Sequence, residues 1–130
     1  MNYQNAGKEI MELFGHSDVF DYPKPIYLIK KILNLIECDG EIVLDFFAGS
    51  ATTGQAVYEL NSEGANIRCI CVQLDYSIQN TKKAYKLGFK TISEVASKRL
   101  ELASKKYQKI DFEGQDYLLG YKYYKISPSN

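Results

Sequence analysis

Residues Glu41–Leu60 read EIVLDFFAGSATTGQAVYEL, and this stretch decides the fold. Glu41–Phe47 sets β-branched and aromatic residues in one run rather than in alternation, which predicts a strand buried on both faces. The run stops at a loop of small residues, Ala48-Gly-Ser-Ala-Thr-Thr-Gly54, and a helix reaching about Leu60 follows. In an open α/β sheet, ligands sit beyond the carboxyl ends of the strands. Small residues let a ligand approach the backbone, and the helix N-terminus offers N–H groups to an anion. The loop lacks the lysine of a P-loop and the spacing of a GxGxxG site. A cofactor with a carboxylate or hydroxyl groups, rather than several phosphates, is the expectation.

Working outward, Asn61–Asn66 is a turn and Arg68–Leu74 (RCICVQL) a second buried strand. A helix over Ser77–Leu87 stops at Gly88, a short strand covers Lys90–Ile92, and a long helix covers Ser93–Lys106 with Ser93 as its cap. Upstream, Gly7–Phe14 is a short helix. Val19–Pro25 is an extended link, because two prolines hold the backbone out of the helical region. Pro25 suits the first turn of a helix to about Ile36, with Ile29, Ile32, Leu33 and Ile36 on one face. Cys38-Asp-Gly40 ends it. Three strand–helix pairs in succession predict a parallel sheet with right-handed crossovers. Tyr117–Ser127 (YLLGYKYYKIS) alternates tyrosine with lysine and reads as a half-exposed strand or hairpin, with Lys122 and Lys125 suited to an edge. The chain thus divides into upstream helices (7–40), a βαβαβα core (41–110) and a C-terminal strand tail (111–130).

At 130 residues, 45% apolar and 25% charged, the chain has the composition of a globular domain and not of a disordered one. No apolar run is long enough to span a bilayer, and the N-terminal residues do not read as a secretory signal. Cys38, Cys69 and Cys71 lack the spacing of a disulfide framework, which favours a reducing cytoplasm. Cys69 and Cys71 alternate on one strand face with no second pair to complete a zinc site, so they read as core. His16 has no recognisable partner. Sixteen basic and sixteen acidic residues cancel, which excludes the basic excess of a stand-alone nucleic-acid binder. The balance hides an asymmetry: residues 1–79 carry −6 and residues 80–130 carry +6. Solvated helix faces account for it, and the alternative is a basic surface meeting a phosphate backbone.

The loop resembles the cofactor loop of S-adenosylmethionine-dependent amino-methyltransferases acting on DNA, which have DxFxGSGTT at this place. Phe20-Asp-Tyr-Pro-Lys-Pro25 with the helix behind it resembles their other cofactor-binding motif. FDYPKP, DFFAGS, VQL and the tail GYKYYKISPSN together resemble the modification subunits of type III restriction–modification systems, over about Gly7 to Asn130. The resemblance implies an S-adenosylmethionine-binding subdomain of a larger adenine-N6 DNA methyltransferase. Its fold would be a partial Rossmann-like methyltransferase sheet, about three parallel strands with flanking helices plus the C-terminal strand or hairpin. It also implies DNA, reached through a larger complex, and a restriction subunit as partners.

The same resemblance assigns cofactor-binding positions to Tyr22, Lys24, Pro25, Asp45, Phe47, Gly49, Ser50, Ala51, Thr52 and Gln73. Asp45 would position the loop and the cofactor's amino group, or else tie down the loop's own N–H groups. Phe47 would pack on the cofactor or in the core. Phe46 and Phe47 lie on opposite faces of an extended strand, so at most one faces the site. Gly49, Ser50 and Thr52 would line the methionine end. Lys24 would hold the methionine carboxylate, unless it is a surface lysine. Two positions depart from the family. Ala51 stands where glycine is usual, and its β-carbon is costly if φ is positive. Gln73 stands where an acidic residue often accepts the ribose hydroxyls; an amide oxygen is a weaker acceptor, and Asp75 is its rival. The family aligns its target nitrogen with an Asp-Pro-Pro-Tyr-type segment. The prolines here are Pro23, Pro25 and Pro128, and none forms one. The expectation is a chain inactive alone, complemented by a chain carrying that segment and target recognition, or alternatively a non-catalytic remnant or assembly module. The first strand would then have a bare edge, covered by Tyr117–Ser127 or by a second copy.

Overall fold

The computed structural model describes residues 4–110, 116–117 and 119–129. Helix α1 covers Gln4–Phe14, α2 Ile26–Leu35, α3 Thr52–Ser62, α4 Lys83–Lys86 and α5 Ile92–Tyr107. Strands β1 (Ile42–Asp45) and β2 (Arg68–Cys71) pair in parallel, Ile42 opposite Arg68 and Asp45 opposite Cys71. Two-residue strands β3 (Lys109–Ile110) and β4 (Asp116–Tyr117) pair antiparallel.

A parallel pair needs a crossover, and α3 supplies it by packing between α2, α5 and β2. The inner sheet face, with Val43 and Cys69, closes on Leu33 of α2 and on Val57 and Leu60 of α3. A second core joins Ile10 of α1, Ala84 of α4 and Val95 of α5 around Val19 and Phe20 of the link between α1 and α2. That link bends through residues 19–22, with Tyr22 at φ +52°, rather than running extended as expected. Phe14 and Phe89 meet there edge to face at 6.1 Å. Among the described residues the helices therefore cover one sheet face only. On the other, Ile42, Leu44 and Ile70 are each about half exposed. The expectation of strands buried on both faces is corrected: burial alternates along both.

The expected third parallel strand is also corrected. Thr91 forms only an antiparallel bridge, opposite Ser77, and Ile92 already opens α5. Helix α5 begins too close by: the Glu94 carboxylate accepts the N–H groups of Lys90 and Thr91, which a parallel neighbour would need. Thr91, not Ser93, is the cap, in a reciprocal capping box with Glu94. The helix expected over 77–87 shrinks to α4, since Ser77 and Ile78 are held by the bridge segment. Of the tail, Tyr117 lies in β4, Leu118 lies outside the described residues, and 119–129 form no strand. That segment runs exposed over α5, with the Tyr121 hydroxyl donating to the Ser97 carbonyl at 2.9 Å. Among the described residues β1 pairs with β2 alone, so the tail leaves its other edge open.

Candidate functional site

The loop leaving β1 is held by its own side chains. Asp45 Oδ1 accepts the Phe47 N–H at 3.0 Å, and Oδ2 accepts the Thr53 hydroxyl at 2.6 Å. Gln73, just past β2, accepts the Gly49 N–H on Oε1 at 2.8 Å and donates from Nε2 to the Leu74 carbonyl. The Ala51 N–H closes a turn onto the Ala48 carbonyl at 2.7 Å. Gly49 and Ala51 both take left-handed conformations, φ +55° and +62°. Ala51 is 0% exposed, so its methyl is buried in a conformation costing an L-residue roughly 1–2 kcal/mol. A β-carbon at Gly49 would sit 3.3 Å from the Phe20 ring. Glycine there lets the FDYPKP segment close against the loop.

Two aromatic side chains stand out from these segments, Tyr22 and Phe47, each 88% exposed. Tyr22 has φ +52°, unusual for a bulky residue. Lys24 is exposed, and among the described residues no carboxylate pairs with it. Pro25 is the N-cap residue of α2, whose first N–H, on Ile26, donates to the Glu9 carboxylate at 3.1 Å. An open cleft of about 750 Å³ is lined by Ile10, Phe20, Tyr22, Pro23 and Lys24, within the size of small-molecule sites. Another, of about 620 Å³, opens on the helical side by Glu9, Lys30 and Tyr107. Neither cleft is lined by residues 45–54, and the first reaches the loop only through Phe20, which packs on Gly49.

Ser50 and Thr52 are buried, and their hydroxyls point away from solvent to a residue that pattern reading passed over. Arg99 Nη1 donates to Ser50 Oγ at 2.7 Å and to Thr52 Oγ1 at 2.8 Å, and Nε donates to Gln55 Oε1 at 2.6 Å. Arg99 is 0% exposed. Burial lowers its pKa to about 10, against the pull of Glu9 and Tyr107, so it stays charged at neutral pH. A signal for it exists in the sequence: Val95, Arg99 and Ala103 recur every four residues, a charge on an apolar stripe. Glu9 had no such mark, whereas Phe20 opens the FDYPKP motif without having been assigned a role of its own. Asp75 accepts from the Ser93 hydroxyl and lies 3.7 Å from Lys125; these partners lower its pKa. Cys69 and Cys71 have sulfurs 3.6 Å apart, and the bond to Cys71 with burial holds the Cys69 thiol well above its usual range. Among the described residues no cluster of three or more His, Cys, Asp or Glu side chains could hold a metal.

Small residues, left-handed turns, the N-terminus of an eleven-residue helix and two exposed aromatic rings fit a flat, polar-ended cofactor. The chain matches the DNA methylase family over residues 2–86. It is 42% identical over 122 residues to the type III restriction-modification enzyme StyLTI Mod subunit of Salmonella typhimurium, covering 92% of this chain and 18% of that protein. To the EcoP15I Mod subunit of Escherichia coli it is 37% identical over 126 residues, 95% of this chain and 18% of that one. To the type II methyltransferase M.KpnI of Klebsiella pneumoniae it is 40% identical over 114 residues, 83% and 27%. The chain thus spans under a third of the length of these curated relatives. It belongs to the DNA methylase family of the N6/N4 type, and the relatives it resembles over most of its length include modification subunits of type III restriction–modification enzymes.

Proposed function

We propose that this chain is the S-adenosylmethionine-binding portion of a DNA adenine-N6 methyltransferase of a type III system. The observation that carries the reading is the meeting of the two cofactor-type segments at Phe20 and Gly49, each segment also carrying an exposed aromatic ring, Tyr22 in one and Phe47 in the other. Tyr22 and Phe47 would offer ring faces to the cofactor, Lys24 a cation for its carboxylate, and Pro25 the start of α2 behind that segment. Asp45 and Gln73 act through the loop, since their oxygens already hold loop donors. Ser50 and Thr52 would contribute backbone rather than hydroxyls, which Arg99 takes. When bound, the cofactor supplies the activated methyl group.

The acceptor chemistry, the DNA contacts and the engagement of a restriction subunit belong in this reading to polypeptide beyond these residues, including an Asp-Pro-Pro-Tyr-type segment. The open β1 edge and the apolar face of Ile42, Leu44 and Ile70 support it, because a parallel sheet is ordinarily covered on both faces. Transfer then needs that polypeptide, and this chain alone is inactive. Calorimetric titration with S-adenosylmethionine tests the reading: binding at micromolar concentration is expected, about −8 kcal/mol, and weakened by Phe47→Ala. The alternative, an assembly module that keeps the fold without the ligand, is motivated by Ala51. It predicts no heat below millimolar concentration.

A further inference from the structure

We infer that Arg99 is the positioning residue of the loop, a buried guanidinium that sets the backbone of residues 49–52 in its ligand-ready shape. This rests on reading the loop as a cofactor site. Three observations carry it. Arg99 reaches from α5 to two successive parts of the loop, bonding the hydroxyls of Ser50 and Thr52 on either side of left-handed Ala51. It also bonds Gln55 in the first turn of α3, so one planar group ties loop and helix together. Finally, it is fully buried with no carboxylate among its hydrogen-bond partners, while its Nη2 and the Gln55 Nε2 have no partner among the described residues. A desolvated charge is costly, and core packing alone is met better by an apolar side chain of the same length. The bonds to the loop are what the charge supplies here. Lysine replaces them only in part, since one ammonium lacks the planar fork that spans Gln55, Ser50 and Thr52.

The test compares hydrogen exchange and S-adenosylmethionine affinity in the parent, Arg99→Met and Arg99→Lys. In Arg99→Met the amides of residues 49–53 are expected to exchange at least tenfold faster, while those of β1 and α2 keep their protection. The affinity falls at least tenfold, and Arg99→Lys recovers part of both. Protection lost evenly across β1, α2 and the loop would overturn the inference, since Arg99 would then serve only general stability. Full recovery by lysine overturns it too, because charge without bridging would suffice. Should Arg99→Met not fold, Ser50→Ala with Thr52→Val removes both hydroxyl acceptors, keeps only the long bond to the Ser50 carbonyl at 3.5 Å, and leaves the arginine in place. Local loosening in that variant supports the inference, and unchanged loop exchange overturns it. If the parent binds no S-adenosylmethionine, the functional reading fails, while the exchange comparison still judges what Arg99 does to the loop.

Discussion

Ala51 concentrates the tension of the site in one residue. Its methyl is fully buried, yet its φ of +62° belongs to the region glycine occupies without penalty. Replacing it with glycine relieves roughly 1–2 kcal/mol of backbone cost and gives up about 0.8 kcal/mol of methyl burial. Ala51→Gly is therefore expected to gain between zero and about 1 kcal/mol in urea denaturation and to bind S-adenosylmethionine more tightly in calorimetry. Equal dissociation constants for variant and parent would end the idea that this methyl weakens the site. The importance of this position was legible only through the resemblance, as an alanine where the family usually has glycine; the sign of φ was not, because it depends on how the turn closes onto Ala48. Arg99 was less legible still. Only the folded chain brings α5 behind a loop almost fifty positions away.

Among the elements, α2 and α3 are clamped by charge as well as by their shared core. The Lys30 ammonium lies 2.7 Å from Glu59 and 2.6 Å from Glu63. Burial pushes Glu59 up, but the bonds from Lys30 and Tyr107 pull it down further, so its folded pKa lies below 4.5. A carboxylate depressed on folding contributes stability above its unfolded pKa and loses it as pH falls through the folded value. For Lys30 burial acts downward, and its bonds to Glu59 and Glu63 raise the net value, so its contribution holds until pH climbs past 10.5. Stability of the parent is thus expected to drop as pH falls below about 4.5. Lys30→Met should flatten that part of the curve, as read from urea midpoints across pH 3 to 6. An unchanged slope would show that the clamp adds nothing. Pattern reading placed both helices, since their apolar faces repeat locally. It misplaced the third strand because the capping box and the strand compete for the same N–H groups, and the capping box wins.

At the scale of the whole molecule the sheet is the unfinished part. Helices cover Val43 and Cys69, while Ile42, Leu44 and Ile70 face outward beside an open β1 edge. Such a face promotes association. Leu44→Glu is expected to change unfolding free energy by no more than about 0.5 kcal/mol, as at other exposed sites. It should also lower the concentration-dependent association of the chain in sedimentation velocity. A parent that stays monomeric across the concentration range, or a variant that associates equally, would count against that face as the contact. No helix among the described residues is long and apolar enough to cross a membrane.

The sequence by itself determined the order of the main elements, the small-residue loop after the first strand and the family. All of these rest on local pattern: period, punctuation by glycine and proline, and residues adjacent along the chain. Only the tertiary structure decided which strands pair, which sheet face stays bare, that Phe20 closes on Gly49, and that Arg99 stands behind the loop. Those depend on contacts between residues far apart in sequence, where burial and competition for each N–H group are settled by the whole fold at once.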